Sequence, residues 1–280
     1  MRRQTMHCVT SNMHEFRVAA HFGETAAGYA DAYSDERSLS ALFFLRRKAI
    51  VMSLLRFPKG SLILDVGCGP GIYAEVCVGQ GLRYVGVDIS EGMIREAQKR
   101  FGHLPGVEFA VGNMQHLPFP SDSFDGLLCL GALEYVPGPE RVSSLREMVR
   151  VVKPNGVVVF SFLNKNSAYW RWVDCGYPLI KFLYSNAKAL VTNSVPAKLR
   201  DCSFEEVPTA RFGMADSLQM LRSLGLSIRA KTYYALNLFP PPLGARLASQ
   251  AVWINSRLEQ LLAIPMFGWL GMAFVIAAKK

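Results

Sequence analysis

The chain has 280 residues, half of them apolar and 19% charged, with a net charge of +9. That much apolar material excludes a disordered chain and allows one or two domains, and we read one. Six cysteines, Cys8, Cys68, Cys77, Cys129, Cys175 and Cys202, form no C-x-x-C pair. Neither a disulfide scaffold nor a metal site is therefore expected, and reduced thiols in a cytoplasmic setting are.

The positive charge is uneven. Residues 1–164 hold 17 Lys and Arg against 16 Asp and Glu, whereas residues 165–280 hold 14 against 6. A basic face there could meet nucleic acid, an acidic membrane surface or an anionic substrate, or be simply solvated.

At the N-terminus, Met1 to His14 is basic and polar and lacks the continuous apolar core of a signal peptide. Residues 1–24 are expected as a flexible arm, and His14 and His21 lie in a segment able to fold over a site. The first strand is predicted at Leu62–Val66, running into Gly67-Cys68-Gly69-Pro70-Gly71 and then a helical pattern. Glycine permits conformations closed to other residues and lets a ligand approach the main chain, while the helix start directs unpaired N–H groups at the bend. A nucleotide-like cofactor is implied.

Arg83-Tyr84-Val85-Gly86-Val87-Asp88 reads as a second strand ending in a carboxylate, where an acid can accept both hydroxyls of a ribose. The alternative role for Asp88 is to cap the helix that starts near Ser90. Val107–Asn113 and Ser123–Leu130 give a third and fourth strand. Arg150-Val151-Val152-Lys153-Pro154-Asn155-Gly156 then reads as a helix end and turn before a fifth strand at Val157–Phe160.

A nicotinamide dehydrogenase also uses a glycine turn and a downstream acid, but its third glycine would fall where this chain has Ile72, and nothing there asks for Asp65. The order of pieces instead resembles the class I S-adenosylmethionine-dependent methyltransferases, particularly the small-molecule and lipid-acting group. The matching residues are Asp65–Gly71, Val87-Asp88, Leu117-Pro118-Phe119 with Ser123-Phe124-Asp125, and Val151–Gly156. They lie within about residues 25 to 163.

The resemblance implies a Rossmann-like α/β fold with a seven-stranded, mostly parallel sheet, an antiparallel last strand and helical C-terminal insertions. It implies S-adenosyl-L-methionine as cofactor, with Gly67, Cys68, Gly69 and Gly71 forming the turn and Asp65 acting on the cofactor amine through that turn or a water; the alternative is that Asp65 caps its own turn. It places Ile89 beside Asp88, Asn113 and Met114 at the adenine, Leu130 with Gly131 beside the methyl group, and Tyr29 with Tyr33 over the cofactor. Asn113 departs from the family's usual acid, although its amide oxygen can still accept a hydrogen bond. Glu134 or Tyr135 is the candidate to orient an acceptor hydroxyl, and His21 is a candidate base. No metal site is expected.

Past Phe162, Tyr169-Trp170-Arg171-Trp172 and Tyr177–Tyr184 interleave rings with cations, and an apolar periodicity ends at Gly225. A sixth strand is predicted at Leu226–Leu236, followed by Phe239-Pro240-Pro241-Pro242 and an amphipathic stretch at Leu243–Ile264. Leu261 to Ala278 holds eighteen consecutive uncharged residues, enough for a membrane span on length alone. Pro265, Gly268 and Gly271 interrupt it, and Gly271–Ala278 is predicted as the antiparallel last strand.

The methyltransferase domain is thus expected over 25–280, with substrate-shaping insertions at about 165–212 and 237–266. The expected activity is methylation, most readily of an oxygen, on a hydrophobic small molecule or lipid-linked acceptor, by proximity with at most a weak base. A peripheral membrane contact through the basic, amphipathic insertion is the accompanying expectation. A catalytically idle cofactor-binding protein and an RNA methyltransferase are the alternatives. Against the latter, Leu130-Gly131-Ala132-Leu133-Glu134-Tyr135 lacks the Asn/Asp-Pro-Pro-aromatic cluster of base-modifying enzymes.

Overall fold

A computed structural model describes residues 2–31, 39–176, 207–238, 253–255 and 257–280. Helices α1 (Arg2–Asp31) and α2 (Leu39–Leu54) precede a run of strands and helices: β1 (Leu62–Val66), α3 (Ala74–Gly79), β2 (Arg83–Asp88), α4 (Glu91–Phe101), β3 (Val107–Val111), β4 (Phe124–Leu130), α5 (Gly138–Val151) and β5 (Val152–Leu163). After them come α6 (Ala168–Arg171), α7 (Met214–Ser223), β6 (Ser227–Leu236) and β7 (Gly271–Lys279).

The strands form one seven-stranded sheet in the order β3-β2-β1-β4-β5-β7-β6, with β7 antiparallel to both neighbours. The remaining pairs are parallel and joined by crossover connections rather than hairpins. The order reverses between β1 and β4, so the carboxyl ends of these strands open a crevice, the usual place for a ligand in such a sheet. Apolar side chains pack on both faces: Leu64, Val66, Phe160 and Phe274 on one, Ile63, Tyr84, Leu128 and Val275 on the other. Both faces are covered because strands this apolar on both sides must be buried on both.

Two features differ from the sequence expectations, the start of β5 and the N-terminal segment, and a third, the last strand, agrees with them. Strand β5 starts at Val152, not at Val157: Val152 pairs with Phe124 and the ladder resumes at Val157, with Asn155 at φ 68° between. The long uncharged stretch divides into two 3-10 turns, Glu259–Ala263 and Pro265–Leu270, and then β7 inside the sheet. Among the described residues no helix is long and apolar enough to cross a membrane. Finally, residues expected to trail as an arm form α1, which packs on α4 so closely that a Cβ at Gly92 would lie 2.6 Å from the Gly23 Cα.

The sheet's carboxyl edge is tied down at Asn164, a buried residue just past β5. Its Nδ2 donates to the carbonyls of Gly268 and Gly271 at 3.0 and 2.9 Å, and its Oδ1 accepts the Asn166 amide. Asn164→Ala strands these partners and should lower the unfolding free energy by roughly 1–3 kcal/mol in urea titrations. Cofactor affinity should stay near wild type, because the residue stands outside the cavity described next.

Candidate active site

Strand β1 delivers its chain directly into the glycine turn. Gly67, Gly69 and Gly71 all take positive φ, at 72°, 54° and 76°, the left-handed region that favours glycine. The Gly67 and Cys68 amides donate to the Val87 carbonyl at 2.7 and 3.1 Å, holding the turn against β2. The glycines differ in role. A Cβ at Gly67 would sit 2.2 Å from that of Ala132, and one at Gly71 2.8 Å from the Phe109 ring, whereas one at Gly69 would meet nothing nearer than 4.0 Å. Gly69 therefore faces open space, and Gly71 is a packing residue behind the turn.

Asp88 closes the turn from β2. Its Oδ2 accepts the Gly69 amide and its Oδ1 the Ser90 amide, each at 2.9 Å. The cap of α4 is Ser90, whose Oγ accepts from the Met93 amide, so the carboxylate is left to serve the turn. Burial raises the Asp88 pKa, and the backbone N–H bonds oppose the shift.

Asp65 is 1% exposed, and its Oδ2 accepts the Tyr84 hydroxyl at 2.7 Å, so it reaches the neighbouring strand rather than capping its own turn. Burial pushes its pKa up to about 7, against the pull of Tyr84 and Arg47. Arg47 of α2 is equally enclosed, its guanidinium donating to the Leu130 carbonyl at 3.1 Å between the Phe43 and Phe44 rings. The Tyr73 hydroxyl is buried beside Arg47 without a hydrogen bond of normal geometry.

These groups line one cleft, concave and partly open to solvent, the shape of small-molecule sites in general. Its walls include Tyr29, Asp65, Gly67, Cys68, Gly69, Asp88, Ile89, Asn113, Met114 and Leu130, each singled out from the sequence. Gly71 does not line it. The Asn113 Oδ1 accepts the Gln115 amide at 2.9 Å, so it closes its own turn while facing the cleft. Tyr33 lies outside the described residues.

Helix α1 roofs the cleft with His14, Glu15, Val18 and Phe22. The His14 Nε2 donates to the Tyr135 carbonyl at 2.6 Å, Gln115 donates to Glu15 at 2.8 Å, and the Phe22 ring meets that of Tyr135 edge-on at 4.9 Å. Of the expected acceptor residues, Tyr135 lines the cleft. His21 and Glu134 do not: His21 stacks edge-on to Phe22, and Glu134 is 3% exposed, with its Oε2 lacking a partner.

The expectation that the C-terminal insertions wall the cleft does not hold among the described residues, since none beyond Pro137 lines it. Trp170 instead anchors structure: its Nε1 donates to the Met272 carbonyl of β7 at 2.9 Å and Arg211 stacks over its ring. Residues 177–206 and 239–252 lie outside the described residues.

Arg47, Tyr73 and Glu15 were not read from the sequence as site residues, whereas His14 was placed in a segment able to fold over a site. Arg47 carried a usable signal. Phe43, Phe44, Ile50, Val51 and Leu54 recur at helical spacing, and Arg47 falls on that same apolar stripe, where a cation requires an internal partner.

Residues 64–160 match the family model described as a methyltransferase domain. The ubiquinone biosynthesis O-methyltransferase of Alkalilimnicola ehrlichii is 34% identical over 170 residues, 59% of this chain and 66% of that protein. Its namesake from Neisseria meningitidis is 32% identical over 145 residues, 50% of this chain and 60% of that protein. The chain thus spans about two thirds or less of these relatives' lengths. Among solved structures, the Synechocystis magnesium protoporphyrin IX methyltransferase with bound S-adenosylhomocysteine superposes at a TM-score of 0.58, with 15% identity over 95% of this chain and 99% of that one.

Fold, glycine turn and matched domain define a class I S-adenosylmethionine-dependent methyltransferase domain, and this chain carries it. The cleft fits that cofactor on its own terms. It combines an open glycine, a carboxylate at the end of β2 and an apposed buried cation and carboxylate.

Glu134 makes stability depend on pH. Burial raises its pKa from 4.5 to about 7. The folded protein then holds a proton that the unfolded chain has released, so the residue's contribution is most favourable below about 4.5 and is lost as pH rises through 7. Glu134→Gln should match wild-type stability near pH 4 and exceed it near pH 8 by up to about 3 kcal/mol in thermal unfolding. An equal difference at both pH values would contradict the assignment.

Proposed function

We propose that the protein transfers a methyl group from S-adenosylmethionine to a hydroxyl oxygen of a hydrophobic small molecule or lipid-linked acceptor. The observation that carries this reading is that one cleft joins the polar floor at Asp65, Gly69 and Asp88 to the largely apolar wall of Val18, Phe22, Tyr29, Met114 and Tyr135. The two relatives named as O-methyltransferases support the choice of oxygen.

When bound, the cofactor supplies a methyl group already activated by its sulfonium. The work left to the chain is positional. Asp88 has lone pairs beyond those used by Gly69 and Ser90 and accepts the ribose hydroxyls. Arg47 and Asp65, of opposite charge, hold the carboxylate and ammonium of the amino-acid end. Asn113 and Met114 border the adenine and Leu130 the reacting carbon. Roofing by α1 excludes water and brings Tyr135 to the acceptor, whose hydroxyl it orients. Glu134 and His21 stand outside the cleft and do not touch the acceptor.

In isothermal titration, S-adenosylhomocysteine should bind the wild-type protein, and Asp88→Ala should weaken binding by roughly ten- to a hundredfold. Gly69→Val should abolish it by filling the cleft. Arg47→Met should weaken S-adenosylhomocysteine yet spare 5′-methylthioadenosine, which lacks the amino-acid end. Transfer of labelled methyl should be sought on phenols of increasing alkyl length, with activity rising with length. Tight cofactor binding without transfer to any of these phenols would favour the idle, cofactor-binding reading.

A further inference from the structure

The segment 253–270 has two unlike sides. One is pinned to the end of β6. Asn255 is fully buried and its Oδ1 accepts the Leu238 amide, Glu259 accepts the Ala235 amide and pairs with Arg46 at 2.7 Å, and Leu262 is 3% exposed. Gly268 lies so near Tyr233 that a Cβ there would be 2.4 Å from its ring. The rest of the segment exposes large apolar groups: Trp253 is 62% exposed, Met266 71%, Trp269 50% and Ile264 45%.

Charge sorts the same way. Between Trp253 and Leu270 the described charged residues are Arg257 and Glu259. The acid is turned inward against Arg46, its side chain only 14% exposed, whereas Arg257 stands exposed with its guanidinium 5.7 Å from the Trp253 ring centre. The outward side therefore offers tryptophans, aliphatic groups and a cation, with no described anion. Indole rings suit the boundary between water and hydrocarbon, and a cation beside them suits acidic headgroups.

We propose that this side of the 253–270 segment docks on the surface of an anionic lipid bilayer. The contact is peripheral, since the segment consists of short turns pinned to the sheet and β7 is already paired on both edges. It would bring an apolar acceptor within reach of the protein, but it stands independently of the methyl-transfer reading.

Co-sedimentation with phosphatidylcholine vesicles, with and without phosphatidylglycerol, tests it on the full chain. Wild type should partition roughly fivefold better onto the anionic vesicles per effective cation, with a blue shift in tryptophan emission. Met266→Ser combined with Trp269→Ser should cut partitioning at least about tenfold, and Arg257→Gln should reduce the preference for anionic vesicles alone. Both variants replace exposed side chains and should bind S-adenosylhomocysteine as wild type does. Wild-type protein that binds S-adenosylhomocysteine but ignores both vesicles would overturn the proposal and leave the methyltransferase reading intact. So would a patch that seats a second copy, seen as a dimer in light scattering that the double variant dissolves, with no vesicle binding.

Discussion

The Asp88 carboxylate, held between the amides of Gly69 and Ser90, is the interaction on which the site depends. Removing a carboxylate from water is costly, and two main-chain N–H groups offset that cost only if both sit within hydrogen-bond reach. The requirement fixes the glycine turn to the end of β2 and fixes where α4 begins. Because α1 then packs across α4 at Gly23 and Gly92, the roof of the cleft is referenced to the same carboxylate.

Beneath the turn, a second electrostatic arrangement keeps the floor polar. Arg47 acts electrostatically on two buried carboxylates, Asp65 and Glu134, whose pKa values burial pushes up to about 7. A single guanidinium does not compensate two full negative charges in so dry a place, so each acid keeps its proton more readily than it would in water. Asp65 therefore changes charge near neutral pH within the cleft, and Glu134 does so behind it.

Around this floor the division of labour is spatial. The parallel half of the sheet, β3-β2-β1-β4, supplies the turn, the Asp88 carboxylate and the cleft residues Asn113 and Met114, while α1 and the Gly131–Pro137 loop supply the roof. The described C-terminal residues close the other half. Asn164, Trp170 and Gly268 lock β5, β7 and the 3-10 turns together and leave a tryptophan-rich outer side.

The sequence alone determined what local chemistry can determine. A strand, a positive-φ turn and a downstream acid depend on neighbours close in the chain, so Leu62–Gly71, Asp88 and the end of β4 were legible, as was the last strand once Pro265 and the glycines ruled out a long helix. Tertiary structure decided the rest. That residues 1–24 could fold over a site was legible from His14 and His21, but not that they form a helix packed on α4, since their partners Ser90, Gln115 and Tyr135 lie many residues away. Arg47 becomes a floor residue only when the assembled sheet brings the Leu130 carbonyl to α2, and Trp170 becomes an anchor, not a substrate wall, only when β7 offers the Met272 carbonyl. The physical reason is the same in each case: a polar or aromatic group takes its role from the partner that satisfies it, and here that partner lies on an element only the assembled sheet brings near.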